Sequence, residues 1–189
     1  MTDERHVRAS RMLARALRHE PEMFGVELDA HGWAQVGPLV RGMKGKVEFS
    51  RAILERIVET DPKGRYEFDA HRMRVRARQG HSVAVDVELE RRDPPAVLYH
   101  GTATKSLDKI MREGLKPMGR LHVHLSPDRE TAVKVGTRHG SPAVLEVDAA
   151  AMVAEGREFH LSRNGVWLTG PVEPRFIRVC GFGLPTRQM

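Results

Sequence analysis

The N-terminal stretch of the chain has apolar side chains at helical spacing. They fall at Val7, Met12, Leu13, Ala16 and Leu17, and arginines fill many of the positions between them. This pattern predicts an amphipathic helix whose outer face is basic. Arg18 and His19 come at the C-terminal end of this helix, because Glu20 precedes Pro21 and a residue before proline is pushed out of the α-helical region.

A second helix and a hairpin are expected next. Apolar residues at helical spacing predict a helix from about Glu48 to Glu59, and Asp61-Pro62-Lys63-Gly64 would end it. Two short alternating runs follow, Tyr66 to Phe68 and Met73 to Val75, with Asp69 to Arg72 between them. These runs predict a β-hairpin. Helices followed by a small hairpin favour a winged-helix module.

A strand and a linker are predicted at the middle of the chain. Val83, Val85, Val87 and Leu89 alternate with polar residues, which predicts one more half-buried strand. The segment Arg91-Arg92-Asp93-Pro94-Pro95 is charged and then proline-rich, which is typical of a linker. The sequence therefore predicts two domains, residues 1–92 and residues 93–189.

The second half of the chain is dominated by short strands. A helix is expected near Ser106 to Glu113. Strands are expected at Ala96 to Tyr99, Leu121 to Leu125, Ala143 to Val147, Val166 to Thr169 and Phe176 to Val179. The fold class predicted for the whole chain is α+β, and this half should be a compact lobe of mainly antiparallel strands.

Composition narrows the classes of protein that fit. The chain has 31 Lys and Arg against 25 Asp and Glu, a formal net charge of +6, which suits either a polyanionic partner or solubility alone. Aromatic residues make up only 5%, so phosphate contacts rather than base stacking should dominate any binding of RNA. Cys180 is the single cysteine, which excludes an intramolecular disulfide and a cysteine-based zinc site.

A cytoplasmic protein with no membrane role is expected. The N-terminus lacks the apolar region of a secretory signal. No apolar run approaches the roughly 20 residues that a membrane-spanning helix needs.

Two arginine-containing segments in the first half could bind an anion. Arg18 and His19 could do so at the predicted helix end, although basic residues there also complement the helix dipole. Arg76 and Arg78 alternate on a predicted strand and should leave the same face, ahead of Gly80. The alternative is an edge strand whose charges discourage aggregation.

The second half carries several histidine- and glycine-containing motifs. Tyr99-His100-Gly101-Thr102 falls where a predicted strand meets a turn, so its polar groups could converge on one ligand. His122 and His124 should leave one face of a strand, but two histidines lack the further ligands that zinc takes, so no metal is expected. Gly136-Thr137-Arg138-His139-Gly140 is either a phosphate-binding loop or an ordinary one, and Asn164-Gly165 predicts a hairpin turn.

The order of these motifs is more specific than any one of them. In chain order they are Leu17-Arg18-His19, Arg76-Ala77-x-Gln79-Gly80-His81-Ser82, Tyr99-His100-Gly101-Thr102, His122-Val123-His124-Leu125-Ser126, Gly136-x-Arg138-x-Gly140 and Asn164-Gly165-Val166-Trp167-Leu168-Thr169. Their combination resembles the RNA 2′-phosphotransferase family, also called tRNA 2′-phosphotransferases. The resemblance runs from about Ser10 to about Pro174.

The resemblance implies a fold and a reaction. The family has an N-terminal winged-helix RNA-binding lobe and a C-terminal NAD⁺-binding lobe with the ADP-ribosyltransferase fold. Its metal-free reaction joins the RNA 2′-phosphate to the ADP-ribose of NAD⁺ and expels nicotinamide. The ribose 2″-hydroxyl then attacks that phosphate, which releases 2′-OH RNA and ADP-ribose 1″,2″-cyclic phosphate.

The resemblance also implies site residues. The family's catalytic Arg-His-Arg-Arg group corresponds to Arg18, His19, Arg76 and Arg138. The residues implied to bind NAD⁺ are His100, Gly101, Thr102, His124, Val166, Gln79, Gly80, His81 and Ser82. Arg78 stands where the family is expected to have Asn, and Arg129 is a rival for the role of Arg138.

The apolar side chain of Val166 indicates which kind of group accepts the ADP-ribose. Many ADP-ribosyltransferases place a glutamate at this position to activate an acceptor, whereas a phosphate acceptor is already a nucleophile and would be repelled by it. The implied partners are NAD⁺ and an RNA carrying a 2′-phosphate, as in tRNA splicing, and the protein is expected to be a monomer. The rival hypotheses are an ADP-ribosyltransferase acting on protein or nucleic-acid ends, and a non-catalytic RNA-binding winged helix.

Overall fold

The computed structural model describes residues 3–182 of the chain. The chain divides into two compact units, the first ending at Glu88 and the second beginning at Leu89. The boundary expected from the sequence, between residues 92 and 93, lies slightly further along the chain. Across the described range the protein is mixed α/β, with six α-helices and three small antiparallel sheets.

The first unit contains three helices. They are α1 (Asp3–Arg18), α2 (Val36–Lys44) and α3 (Arg51–Thr60). Helices α1 and α3 match the two that the sequence predicts. Ser50 caps α3, since its Oγ accepts a hydrogen bond from the Ile53 N–H at 3.2 Å. Helix α2 was not predicted, because a nine-residue segment with two glycines and a proline has weak helical signals.

The helices pack on a three-stranded sheet. Its strands are β1 (Ala34–Gln35), β2 (Tyr66–Phe68) and β3 (Arg74–Ala77), in the order β1-β3-β2. Strands β2 and β3 pair antiparallel, which confirms the predicted hairpin. The largest fully buried side chains of this unit are Leu13, Leu17, Leu39, Met43, Leu54, Ile57 and Tyr66.

The strand predicted from Val83 to Leu89 is wrong. The three valines are half-buried and the residues between them are exposed, as the alternation indicates, but the segment joins no sheet. Its backbone is held by isolated contacts, such as the hydrogen bond that Asp86 N–H donates to Ala30 O at 2.9 Å. Glu88 has φ 55°, which interrupts the extended conformation that a strand ladder requires.

The second unit consists mainly of strands. They are β4 (Glu90–Arg91), β5 (Val97–Ala103), β6 (Val123–Leu125), β7 (Pro142–Asp148), β8 (Phe159–Leu161), β9 (Trp167–Thr169) and β10 (Ile177–Phe182). One sheet has the order β10-β7-β5 and the other β4-β8-β9-β6. The helices are α4 (Leu107–Glu113), α5 (Arg129–Gly136) and α6 (Ala149–Ala154). Helices α5 and α6 were not predicted, since they are short and their apolar patterns are weak, and β8 was expected only as the partner strand of a hairpin.

Strand β5 is longer than the sequence predicts. The expectation that His100-Gly101-Thr102 forms a turn is wrong, because β5 pairs with β7 from Val97 through to Ala103. Strands β8 and β9 form the expected hairpin, and Gly165 at its turn has φ 77°.

Candidate active site

Arg18 and His19 end helix α1. Arg18 is 9% exposed, and its guanidinium carbon lies 5.7 Å from the centre of the Tyr66 ring. Burial raises the pKa of Tyr66, while the charges of Arg18 and Arg65 oppose that rise. The helix end is therefore a partly enclosed cationic position rather than a solvated one.

The segment after β3 returns to the end of α1. Gly80 has φ 87°, a backbone conformation that glycine adopts readily. Ser82 N–H then donates a hydrogen bond to Arg18 O at 2.9 Å. The Ser82 hydroxyl lies 2.9 Å from His19 Nδ1 and 3.3 Å from Arg18 O. The structure thus places Ser82 beside two of the predicted catalytic residues.

His81 is a buried neutral histidine in this group. It is 2% exposed, and no hydrogen-bond partner for its Nε2 is present among residues 3–182. Its pKa is lowered to about 4, mainly by burial and further by the charges of Arg18, His19 and Arg76. Because all three act on this one ring, the first unit brings together three of the four predicted catalytic residues.

Arg76 is held by several partners. Its Nε donates to Glu67 Oε1 at 2.7 Å, and its Nη1 donates to Glu88 Oε2 at 3.1 Å and to His31 O at 3.2 Å. Its guanidinium also stacks on Trp33, with 4.4 Å between the guanidinium carbon and the ring centre. At 3% exposure, Arg76 is buried and oriented before any ligand arrives.

Arg78 shares a partner with Arg76. Its Nε lies 3.3 Å from the second carboxylate oxygen of Glu67. This confirms that the two arginines leave the same face of β3. Gln79, at the end of this run, is 9% exposed.

His100 and His124 lie together in the second unit. Tyr99 and Ser126 exchange backbone hydrogen bonds of 2.9 and 2.7 Å, which bring β5 next to the end of β6. His100 Nδ1 lies 3.0 Å from His124 O, so this nitrogen carries a hydrogen and donates it. Burial is the main cause of the lowered pKa of His100, which is therefore neutral at pH 7.

Arg120 sets the tautomer of His124. Its Nη1 lies 2.7 Å from His124 Nδ1, and because a guanidinium can only donate, this Nδ1 must be an acceptor. The hydrogen of the neutral His124 ring is then on Nε2. Burial lowers the pKa of Arg120.

Gly101 has a packing role. A Cβ on this residue would lie 1.7 Å from Ala132 O in α5. A Cβ on Gly136 would in turn lie 2.7 Å from Thr102 O. These glycines let α5 pack closely on β5, and since side chains alternate along a strand, His100 and Thr102 leave the face opposite α5.

Arg138 is exposed, in a short 3-10 turn that follows α5. The sequence leaves this segment as a loop, whereas α5 runs on to Gly136. Its rival Arg129 lies against β10, since a Cβ on Gly181 would come within 2.1 Å of the Arg129 guanidinium. Both arginines belong to the second unit.

Val166 and His122 complete the set. Ser162 accepts a hydrogen bond from Val166 N–H at 3.0 Å, which holds Val166 in the β8–β9 turn. His122 pairs with His160, with 6.2 Å between the ring centres. Within residues 3–182, no three or more His, Cys, Asp and Glu side chains are arranged to hold a metal ion.

Several polar residues that contact the predicted site residues were not predicted from the sequence. Glu67 and Glu88 orient Arg76, and Arg120 orients His124. The sequence gives a weak indication of the role of Glu67, since a single acidic residue inside an apolar hairpin strand requires a cationic partner.

None of the helices in the described part of the chain is both long and apolar enough to cross a membrane.

Similarity to known proteins identifies the family. The family described as RNA 2′-phosphotransferase, Tpt1 / KptA family, matches residues 4–170. A probable RNA 2′-phosphotransferase of Streptomyces griseus subsp. griseus is 48% identical, over 96% of this chain and 100% of that protein. Proteins of the same name from Streptomyces coelicolor and Fusobacterium nucleatum are 48% and 47% identical, over 94% and 91% of this chain and 97% of each of them. The chain therefore belongs to the RNA 2′-phosphotransferase family.

Proposed function

We propose that this protein removes an internal 2′-phosphate from RNA and transfers it to NAD⁺. Family membership supports the phosphotransferase activity. The observation that carries the proposal is the cluster of Arg18, His19 and Arg76 around the neutral His81. Such a cluster suits a dianionic phosphate, because oriented guanidinium groups stabilise phosphate charge by charge-assisted hydrogen bonds.

The arginines are proposed to hold the phosphate. Arg76 has its Nε committed to Glu67, so a phosphate oxygen would bind on the Nη side, where a Glu88 carboxylate oxygen already lies. Arg18 adds a second charge at the helix end. Arg138 is proposed as the fourth member because it is an exposed arginine of the second unit in a Gly-x-Arg setting.

His19 is proposed to transfer the proton. Histidine is the side chain that titrates near neutral pH in the absence of perturbation. The other histidine of this cluster, His81, has a pKa of about 4 and is a poor proton donor at neutral pH. A division of labour follows, in which arginines stabilise charge and His19 exchanges a proton with a reacting oxygen.

The second unit fits NAD⁺ by the chemistry of its polar groups. The His100 ring donates from Nδ1 and is therefore an acceptor at Nε2, whereas His124 is a donor at Nε2. One acceptor and one donor are suited to hydroxyl and amide groups of the kind found on a nicotinamide riboside. Bound NAD⁺ would supply the ribose carbon that accepts the phosphate.

The apolar side chain of Val166 and the folds of the two units support the same proposal. With Val166 in place of a glutamate, this position carries no carboxylate that would repel a phosphate acceptor. We further propose that the first unit is a winged-helix RNA-binding module, consistent with α2 and α3 followed by the β2–β3 hairpin. The second unit is proposed to have the ADP-ribosyltransferase fold, consistent with two antiparallel sheets joined through Tyr99 and Ser126.

The proposal is tested with an RNA oligonucleotide that carries one internal 2′-phosphate. We expect loss of the phosphate only when NAD⁺ is present, and the same rate with a metal chelator. Arg138→Ala should abolish this reaction, whereas Arg129→Ala should retain it. Absence of NAD⁺-dependent dephosphorylation would overturn the proposal, and ADP-ribosylation of other acceptors by the same protein would favour the ADP-ribosyltransferase alternative.

A further inference from the structure

Ser82 lies between the end of helix α1 and the ring of His19. Its Oγ is 2.9 Å from His19 Nδ1 and 3.3 Å from Arg18 O. Its backbone N–H donates to the same Arg18 O at 2.9 Å, which fixes the position of the residue. The hydroxyl therefore has two neighbours with different hydrogen-bonding abilities.

Only one arrangement of hydrogens makes both contacts hydrogen bonds. Arg18 O is a carbonyl oxygen and can only accept, so the Ser82 hydroxyl must donate its single hydrogen to it. The Oγ then has only lone pairs for His19, and Nδ1 must carry a hydrogen and donate. If the hydroxyl instead donated to Nδ1, the Oγ and Arg18 O would be two acceptors with no hydrogen between them.

We propose that Ser82 is a positioning residue that holds neutral His19 in the tautomer with its hydrogen on Nδ1. The lone pair is then on Nε2, which becomes the nitrogen that takes up and returns the proton during phosphate removal. This inference rests on the proposed function for the role of His19. It assigns Ser82 to the histidine, whereas the family resemblance implies contact with NAD⁺.

The end of α1 contributes to this arrangement. Carbonyl groups at a helix C-terminus carry a partial negative charge, which favours a cation nearby. The relay from Nδ1–H through the Ser82 hydroxyl to Arg18 O connects the ring to that end. When Nε2 gains a proton, the same hydrogen bonds remain in place and no side chain has to rotate.

The tautomer can be measured without any enzymatic assay. Protein labelled with ¹⁵N-histidine is examined by long-range ¹H–¹⁵N correlation at pH 8, and His19→Gln identifies the His19 signals. We expect a protonated Nδ1 and an unprotonated Nε2 in the wild type, and loss of that preference in Ser82→Ala. A wild-type His19 with its hydrogen on Nε2 would overturn the inference, even if Ser82→Ala failed to fold.

Kinetics separate the positioning role from NAD⁺ binding. Ser82→Ala should lower kcat by about 10-fold or more, part of the roughly 100- to 10,000-fold that general acid–base catalysis supplies. KM for NAD⁺ should be unchanged, and Ser82→Thr, which restores a hydroxyl, should recover most of kcat. Ser141→Ala is the matched control, because Ser141 is exposed and its backbone carbonyl, which the substitution keeps, accepts the hydrogen bond from Thr104 N–H.

The outcomes are distinguishable from those of the proposed function. A raised KM for NAD⁺ with an unchanged tautomer in Ser82→Ala would overturn the positioning role. If the wild-type protein removed no 2′-phosphate, the proposed function would fail. The NMR experiment would still decide whether Ser82 sets the tautomer of His19.

Discussion

Arg76 and Glu67 form a buried ion pair directly across the β2–β3 hairpin. Nε and Oε1 are 2.7 Å apart, the two residues are partners in the strand register, and their side chains are 3% and 7% exposed. A buried charge is stable only when it is paired, so each side chain requires the other. The pair also commits the Nε of the guanidinium, and a phosphate oxygen is proposed to bind on the Nη side in place of the Glu88 carboxylate.

Removing Glu67 should destabilise the first unit. Glu67→Ala leaves the Arg76 charge buried without its main partner, and the free energy of unfolding should fall by about 3–5 kcal/mol. Denaturant unfolding followed by circular dichroism measures this loss. Glu59→Ala, which removes the exposed partner of Arg72, is the control and should cost less than about 1 kcal/mol. Equal losses in the two variants would contradict the role of the buried pair.

Removing the Glu88 carboxylate should improve RNA binding. Glu88 lies 3.1 Å from Arg76 Nη1 and is 57% exposed, so it occupies a position that a phosphate oxygen is proposed to take. Glu88→Gln should lower KM for 2′-phosphorylated RNA about 2- to 5-fold, the range expected from a weak ion pair, because the Glu88 side chain is largely exposed. Steady-state kinetics with Glu90→Gln as control test this, and a KM that rises or stays the same in Glu88→Gln would contradict it.

His81 should make stability depend on pH below neutrality. Its pKa falls from 6.5 to about 4 on folding, so between these values the unfolded chain binds a proton that the folded protein does not. The contribution of neutral His81 to the free energy of unfolding is therefore fully present above pH 6.5. It is lost as the pH falls towards 4, and the loss is at most about 3 kcal/mol. The lowered pKa of Asp61 places its own effect below this window.

Substitution of His81 checks the assignment. His81→Gln should reduce the dependence of unfolding free energy on pH between 6.5 and 4, while His100 and His122, whose pKa values are also lowered by burial, keep part of it. His139→Gln, at an exposed histidine, should leave the wild-type dependence. The same slope in wild type and His81→Gln would show that another group is responsible.

Gly101 is predicted to serve packing rather than cofactor contact. In Gly101→Ala the new methyl group would meet Ala132 O at 1.7 Å, so α5 could not remain on β5. We expect a loss of at least about 4 kcal/mol in unfolding free energy, the size associated with severe core disruption. Gly119→Ala, with nothing within 4 Å of the added atom, should be neutral.

Thermal unfolding together with NAD⁺ kinetics decides this case. A Gly101→Ala protein with the wild-type Tm and a raised KM for NAD⁺ would show that Gly101 is a cofactor contact.

The sequence predicted long and strongly patterned elements well. Helices α1 and α3 and the β2–β3 hairpin are confirmed because local spacing alone specifies them. Val83 to Leu89 alternates as a strand does, yet no periodicity reveals that Glu88 has a positive φ and that the segment lacks a ladder partner.

The partners of the site residues could be identified only from the structure. Glu67 meets Arg76 only through strand register, and Ser82 meets His19 only because the chain turns back on helix α1. Arg120 precedes His124 by one short segment, but its donation to Nδ1 depends on side-chain geometry. Motif order could identify the family, whereas tautomers and ion pairs depend on contacts between distant residues.

The most direct test of the central claim is to quantify nicotinamide and 2′-OH RNA in the same reaction. We expect equimolar amounts of the two from RNA with an internal 2′-phosphate, and no nicotinamide release above background from the same RNA with a 2′-hydroxyl. Phosphate removal without nicotinamide release, or equal nicotinamide release with both RNAs, would contradict it.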